Sequence, residues 1–145
     1  MGDSKRNMIV AFQVETQACI DHLDDILTVP GVDMAFLGPY DQCLSSGIYD
    51  AEGAARMLDS PALDRILETL AAKAQAAGVL LGVYLGGGTS RVEKYLRLGF
   101  HFISIGSDLD ALTTCATARL RELPAITAAV GGAVASYTAP PSNNL

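Results

Sequence analysis

Gln13 and Glu15 stand two residues apart at the end of the apolar run 8–14. In an extended chain both therefore project from one face, while Val10, Phe12 and Val14 face the other way and suit packing on helices. A carboxylate and an amide at the end of an apolar strand cost several kcal/mol unless each is paired or bound to a cation. A second carboxylate is available from Asp41, which closes the segment Phe36-Leu37-Gly38-Pro39-Tyr40-Asp41. Two carboxylates, an amide and backbone carbonyls are hard oxygen ligands, suited to an octahedral Mg2+ or Mn2+ that keeps water positions open for a substrate. No sulfur or imidazole is placed to make this a zinc site. The same spacing also fits a plainer arrangement, in which Glu15 caps the helix that follows and Asp41 satisfies loop amides.

The elements that must hold these residues follow from the apolar periodicity. Residues 8–14 form a strand, and Ala18, Ile20, Leu23, Ile26 and Leu27 continue at helical spacing up to Pro30-Gly31. Residues 32–37 make a second strand closed by Gly38-Pro39, and residues 40–58 read as a long loop with some helix in it. Ser60-Pro61 gives the start signal of a helix that runs to Gly78. A third strand spans 79–85, followed by the turn Gly86-Gly87-Gly88 and a helix ended by Gly99. A fourth strand covers 100–105. Ser107-Asp108 can cap a last helix, with Asp108 as its cap, before Pro124 interrupts it. Four consecutive strand-helix units with near-continuous apolar strands predict an α/β fold with a parallel sheet and right-handed crossovers. In such sheets ligands gather at the carboxyl ends of the strands, where Gln13 and Glu15, Pro39 to Asp41, the Gly86 turn and Gly106 to Asp108 lie. The glycine turn after the third strand matches neither GxGxxG nor the P-loop pattern.

Composition narrows the function classes. The chain has 145 residues, half of them hydrophobic and 18% charged, with 10 Lys and Arg against 16 Asp and Glu, a net charge of −6. That is material for one folded domain, with no basic block to neutralise phosphates, so neither nucleic acid nor a membrane surface is expected as a partner. The absence of a long apolar run or a secretory pattern leads us to expect a cytoplasmic protein. Cys19, Cys43 and Cys115 are odd in number and widely spaced, which indicates free thiols rather than a disulfide or zinc framework. The expected organisation is a polar N-terminal segment 1–7, a β/α domain 8–123 and a C-terminal extension with a flexible tail 124–145.

Gln13-Val14-Glu15-Thr16, Ala18, the stretch Leu23 to Asp33 and Phe36 to Asp41 together resemble the second half of the HpcH/HpaI aldolase family, which also includes citrate lyase β-like proteins. Tyr95-Leu96-Arg97-Leu98-Gly99-Phe100 and Ile105-Gly106-Ser107-Asp108 are similar to the same family's end. The resemblance implies half of a TIM barrel, units five to eight. It further implies a divalent-metal-dependent carbon-carbon lyase, a class II pyruvate-type aldolase that cleaves a 2-oxo acid through a metal-stabilised enolate. By resemblance Glu15 and Asp41 are the metal carboxylates, Gln13 lines the same pocket, and Gly38, Pro39, Tyr40 and Asp41 hold the substrate carboxylate.

The chain departs from the family at Gln42-Cys43, where Leu-Ser is usual, and the following segment to Leu58 is atypical. The family's first four units, with a substrate-stabilising arginine and a basic histidine, have no counterpart. His22, in the first helix, and His101, near the start of the last strand, do not replace that histidine. Tyr40 beside Asp41 is the remaining candidate proton donor, Arg91 is expected to be solvated, and Cys43 reads as a small loop residue. Four strands with helices on one side leave an apolar inner face and two edges uncovered, which predicts a homodimer or a complex with a separate N-terminal half-barrel chain. The alternatives to a lyase are a noncatalytic or partner-dependent half-barrel subunit, and an isomerase or cyclase that uses the same pocket on a natural-product intermediate.

Overall fold

A computed structural model describes residues 8–86 and 88–129. The expected N-terminal segment 1–7 and the tail beyond 129 lie outside them. The chain divides into two compact units, Met1–Gly106 and Ser107–Leu145.

In the first unit four strands form one parallel sheet in the order β1-β2-β3-β4: β1 Ala11–Val14, β2 Met34–Leu37, β3 Leu80–Tyr84 and β4 Phe102–Ser104. Each strand is shorter than its apolar run. Phe100, expected at the start of the fourth strand, instead turns its ring edge-on to Tyr95, with centroids 5.0 Å apart at 84°. The register places Val14, Leu37, Val83 and Ile103 in one row and Gln13, Phe36, Gly82 and Phe102 in the adjacent row on the opposite face. Val14, Leu37 and Val83 are buried in the core together with Leu23, Leu63, Leu67 and Leu70 from the helices. The helices therefore cover the face that Val14 belongs to, and this unit is four consecutive β/α units of a barrel-type sheet.

The longest helix of this unit, α5 (Pro61–Ala77), has locally determined ends. Ser60 Oγ accepts the Ala62 N–H at 3.1 Å, Pro61 occupies the first turn where no donor is needed, and Gly78 leaves the helix at φ +70°. Leu63, Leu67, Leu70 and Ala74 recur every three to four residues, so one stripe is buried, each leucine contributing about 2 kcal/mol.

Two expectations change at this level. The first helix is split into α1 (Gln17–Asp21) and α2 (Leu23–Leu27) at His22, whose ψ is 20°. The break places Asp24 and Asp25 in a new first turn, where the helix dipole favours them, while Leu23 and Leu27 remain buried. Residues 40–58 contain α3 (Pro39–Ser45), α4 (Ile48–Glu52) and a 3-10 turn, Met57–Asp59. The last crossover helix is α6 (Val92–Arg97).

The second unit contains α7 (Asp108–Ala129). Its cap is Ser107 rather than Asp108. Ser107 Oγ accepts the Asp110 N–H at 3.2 Å, and Asp110 Oδ2 accepts the Ser107 N–H at 2.8 Å, a reciprocal capping box. The Ser107 N–H and hydroxyl, which both donate to Asp110 Oδ2, hold the Asp110 carboxyl below its ordinary pKa, whereas Asp108 Oδ1 accepts the N–H of Leu109. Pro124 lies inside α7 instead of ending it. One backbone donor is lost there, and the Thr127 hydroxyl donates to the Leu123 carbonyl at 2.7 Å just beyond it. Among the described residues no helix is long and apolar enough to cross a membrane.

Candidate functional site

The carboxyl ends of β1 and β2 bring three of the expected residues together. A Cβ built on Gly38 would stand 3.0 Å from Gln13 Nε2, 3.2 Å from Glu15 Cβ and 3.3 Å from Glu15 Oε2. A side chain at position 38 would therefore displace both polar groups, and glycine is what lets them reach across the end of β2. The Gly38 N–H donates to the Val14 carbonyl at 2.9 Å, which fixes this close approach through the sheet itself.

The structure also separates the two readings of Glu15. The N-cap of α1 is Thr16, whose Oγ1 accepts the Cys19 N–H at 3.1 Å. Glu15 is thus not engaged as a cap. Asp41 lies in the first turn of α3, just after Gly38 and the buried Pro39. Among the described residues neither the Glu15 nor the Asp41 carboxylate accepts a hydrogen bond, and no group of three or more His, Cys, Asp and Glu side chains converges. The acidic donors at the ends of β1 and β2 are then two carboxylates, half-buried Glu15 and exposed Asp41, with the Gln13 amide beside Glu15. Carboxylate and amide oxygens are hard ligands of the kind a divalent cation takes, with water or substrate in its remaining positions.

Tyr40 reaches toward the next strand. Its hydroxyl would be 3.0 Å from a Cβ on Gly86, and it lines a cavity of about 50 Å³ with Tyr84, Gly86, Ser90, Arg91 and Tyr95. Burial pushes the Tyr95 phenol up to about 12, so it stays protonated there. Arg91 is not simply solvated. Its Nε and Nη2 donate to Asp59 Oδ1 and Oδ2 at 2.9 and 2.7 Å, a bidentate pair that ties the start of α6 to the 3-10 turn.

The remaining candidates stand aside from this chemistry. His22 is exposed at the α1–α2 junction with Asp25 3.8 Å away, and His101 lies at the start of β4, the end of the sheet opposite Glu15. Cys43 is a buried helix residue rather than a loop residue, its Sγ 3.6 Å from the Met57 carbonyl. Burial, and then the Glu52 charge, push its thiol up to about 11, which suits packing and not nucleophilic attack. Sequence reasoning missed Gln42. Its side chain is fully buried on α3, and neither Oε1 nor Nε2 has a hydrogen-bond partner. The one signal for it was its departure from the family's leucine.

The model of the HpcH/HpaI aldolase/citrate lyase family matches residues 1–115. A 2-keto-3-deoxy-L-rhamnonate aldolase of Salmonella paratyphi B is 31% identical over 120 residues, which are 83% of this chain and 42% of that protein. The crystal structure of an HpcH/HpaI aldolase/citrate lyase family protein from Burkholderia cenocepacia J2315 matches with a TM-score of 0.72 at 24% identity, covering 84% of this chain and 45% of the other. Macrophomate synthase matches with a TM-score of 0.66 at 19% identity, over 89% of this chain and 42% of its own. The two structural likenesses bear on fold alone, and the chain spans less than half the length of each of these proteins.

Proposed function

Because the chain belongs to the HpcH/HpaI aldolase/citrate lyase family, we propose that it carries the metal-holding and substrate-holding side of a carbon-carbon lyase acting on pyruvate-type 2-oxo acids. The observation that supports this reading most is the convergence of Gln13 and Glu15 on Gly38, with both Glu15 and Asp41 unpartnered among the described residues. Glu15 and Asp41 would hold a Mg2+ or Mn2+ ion, which when bound acts as a Lewis acid toward the oxygens of a 2-oxo acid.

The chain's own groups have distinct tasks in this scheme. The first-turn N–H groups of Tyr40 and Asp41 have no intrahelical partner and can donate to the substrate carboxylate. The Gln13 amide, on the same strand face as Glu15, orients the reacting oxygen. Retro-aldol cleavage breaks the bond between C3 and C4, leaves the electron pair on C3, and releases the proton of the C4 hydroxyl to a base. The Tyr40 phenol can return a proton to C3. Neither histidine lies at this end of the sheet, which leaves the base to Tyr40 or to a group from another polypeptide.

That last point favours a second reading, a partner-dependent or noncatalytic subunit. It rests on where the two histidines stand, His22 at the α1–α2 junction and His101 at the start of β4. Calorimetry with Mn2+ and pyruvate release from 2-oxo-4-hydroxy acids test both. We expect Glu15→Gln and Asp41→Asn each to weaken Mn2+ binding at least about tenfold. Unchanged affinity in both variants would refute the metal assignment. Binding of Mn2+ without turnover would favour the second reading.

A further inference from the structure

The cavity behind Tyr40 is built by the two inner strands of the sheet and the segments that follow them. Its walls come from the end of β3, the start of α3, the 3-10 turn and the approach to α6, away from both sheet edges. Leu58 and Leu85 make it partly apolar, and Tyr40, Tyr84, Ser90, Arg91 and Tyr95 supply its polar groups. Gly86 keeps it open. A Cβ there would stand 3.0 Å from Tyr40 Oη and 3.6 Å from Tyr84 Cε1, in contact with both rings.

The polar groups of this cavity are in place and unused. Tyr95 is 1% exposed, and among the described residues neither its hydroxyl nor those of Tyr40, Tyr84 and Ser90 have a hydrogen-bond partner. A hydroxyl that folding takes out of water and leaves unpaired is costly, so a polar-walled cavity of this kind is filled by water or by a ligand group. At about 50 Å³ it has room for roughly three water-sized groups, enough for a CH2OH end but not for a long chain. Its charge is already matched. The Arg91 guanidinium commits two N–H groups to the Asp59 carboxylate at 2.9 and 2.7 Å, which leaves an occupant uncharged hydroxyls and the spare N–H groups of a neutralised cation. A carboxylate in the same place would compete with Asp59 for Arg91.

The cavity adjoins the site described above. Leu37 pairs with Val83, so the register carried one residue further sets Gly38 beside Tyr84, on the sheet face that Gln13 and Gly82 share. Tyr40, whose hydroxyl lines the cavity, precedes Asp41 in the chain. We propose that the cavity receives the uncharged, hydroxyl-bearing end of the aldehyde half of the substrate, with Tyr84, Ser90 and Tyr95 deciding which aldehyde is accepted. The proposal rests on the lyase reading of Glu15 and Asp41 and adds a substrate class to it: 2-oxo acids whose aldehyde half is short, neutral and hydroxylated. Tyrosine and serine hydroxyls both donate and accept, so they answer a substrate hydroxyl on both counts and are left unpaired by a methyl group.

Carbon-13 NMR of the full chain with labelled tyrosine tests this, using glycolaldehyde, propanal and glyoxylate as probes. The three are alike in size and end in a hydroxyl, a methyl and a carboxylate. We expect glycolaldehyde to shift the Tyr40, Tyr84 and Tyr95 signals, to leave exposed Tyr49 in place, and to bind at least about tenfold tighter than the other two. Tyr95→Phe, which removes one oxygen and keeps the ring, and Ser90→Ala should each weaken glycolaldehyde about fivefold and leave propanal unchanged. If Tyr95→Phe does not fold, Tyr84→Phe takes its place. No shift at these three tyrosines, equal affinity for the three probes, tighter binding of glyoxylate, or variants that bind like the original each overturn the proposal. Addition of pyruvate is read separately. A protein that binds glycolaldehyde at these tyrosines and forms no product counts against the lyase reading alone, whereas one that condenses all three aldehydes alike counts against the cavity alone.

Discussion

Replacing Gln42 by leucine should stabilise the protein. The side chain is 0% exposed and both amide atoms lack a partner, so folding strips water from Oε1 and Nε2 and returns nothing. Each unsatisfied buried polar atom costs about 1–3 kcal/mol. Leucine removes both atoms at similar volume, and an imperfect fit of its branched end takes back up to about 1.5 kcal/mol. With two atoms at that cost, less the misfit, the expected gain is at least about 0.5 kcal/mol, or about 2 °C or more in Tm for a chain of this size. Urea unfolding at a fixed chain concentration measures it, because association would otherwise shift the midpoint. An unchanged m-value with a higher midpoint is the expected pattern. Gln42→Glu, which buries a charge at the same place, should unfold at lower denaturant. A Gln42→Leu protein less stable than the original would refute the reasoning, since it would mean that the amide has a partner worth more than its desolvation.

Two further outcomes follow from shifted ionisations. The hydrogen bond from Arg91 holds the Asp59 carboxyl below its usual 3.8, so the pair stabilises the fold above that pH and loses its contribution as pH falls through the lower folded-state value. Both groups are partly solvated, which limits the effect to below about 1 kcal/mol. Asp59→Asn should flatten the acid limb of the stability profile, and parallel profiles for variant and wild type would contradict this. Iodoacetamide at about pH 8 should label exposed Cys115 readily and spare Cys43, whose thiol is buried and pushed up to about 11; equal labelling rates in the folded protein would show that α3 opens.

Much of the architecture was legible because its determinants are local. Ser60-Pro61 and Gly78 bound α5 by capping chemistry that needs no distant partner, and the apolar runs announced all four strands. The strand ends were less legible, since Phe100 leaves the sheet for a ring contact with Tyr95 that only the folded chain supplies. Residues 40–58 showed some helix but not the bounds of α3 and α4, because helices of seven and five residues are held by packing on one another rather than by propensity. At the site, Gln13 and Glu15 were readable from strand periodicity and from the rule that ligands gather at strand carboxyl ends, whereas Gly38 entered only through the family resemblance. The cap reading of Glu15 turned on Thr16, one residue away, whose hydroxyl takes the cap. The Arg91–Asp59 pair joins residues 32 apart in sequence, and no local pattern announced it. Gln42 was visible only as an odd residue type, because burial without a partner is a property of three-dimensional packing.

Strand order along the sheet is the same as strand order along the chain. During synthesis, each new strand therefore meets a partner that has already emerged, and no later segment has to be threaded between earlier ones. Assembly can proceed from the N-terminal side by successive addition, with loop closure confined to one crossover at a time. The same order has a hazard: after every step the growing sheet ends in a fresh parallel edge next to a bare apolar face, so a nascent chain is adhesive at each intermediate length. Translation speed and chaperone access then matter most while β2 and β3 are out and β4 is not, a window about twenty residues long between Tyr84 and Ser104.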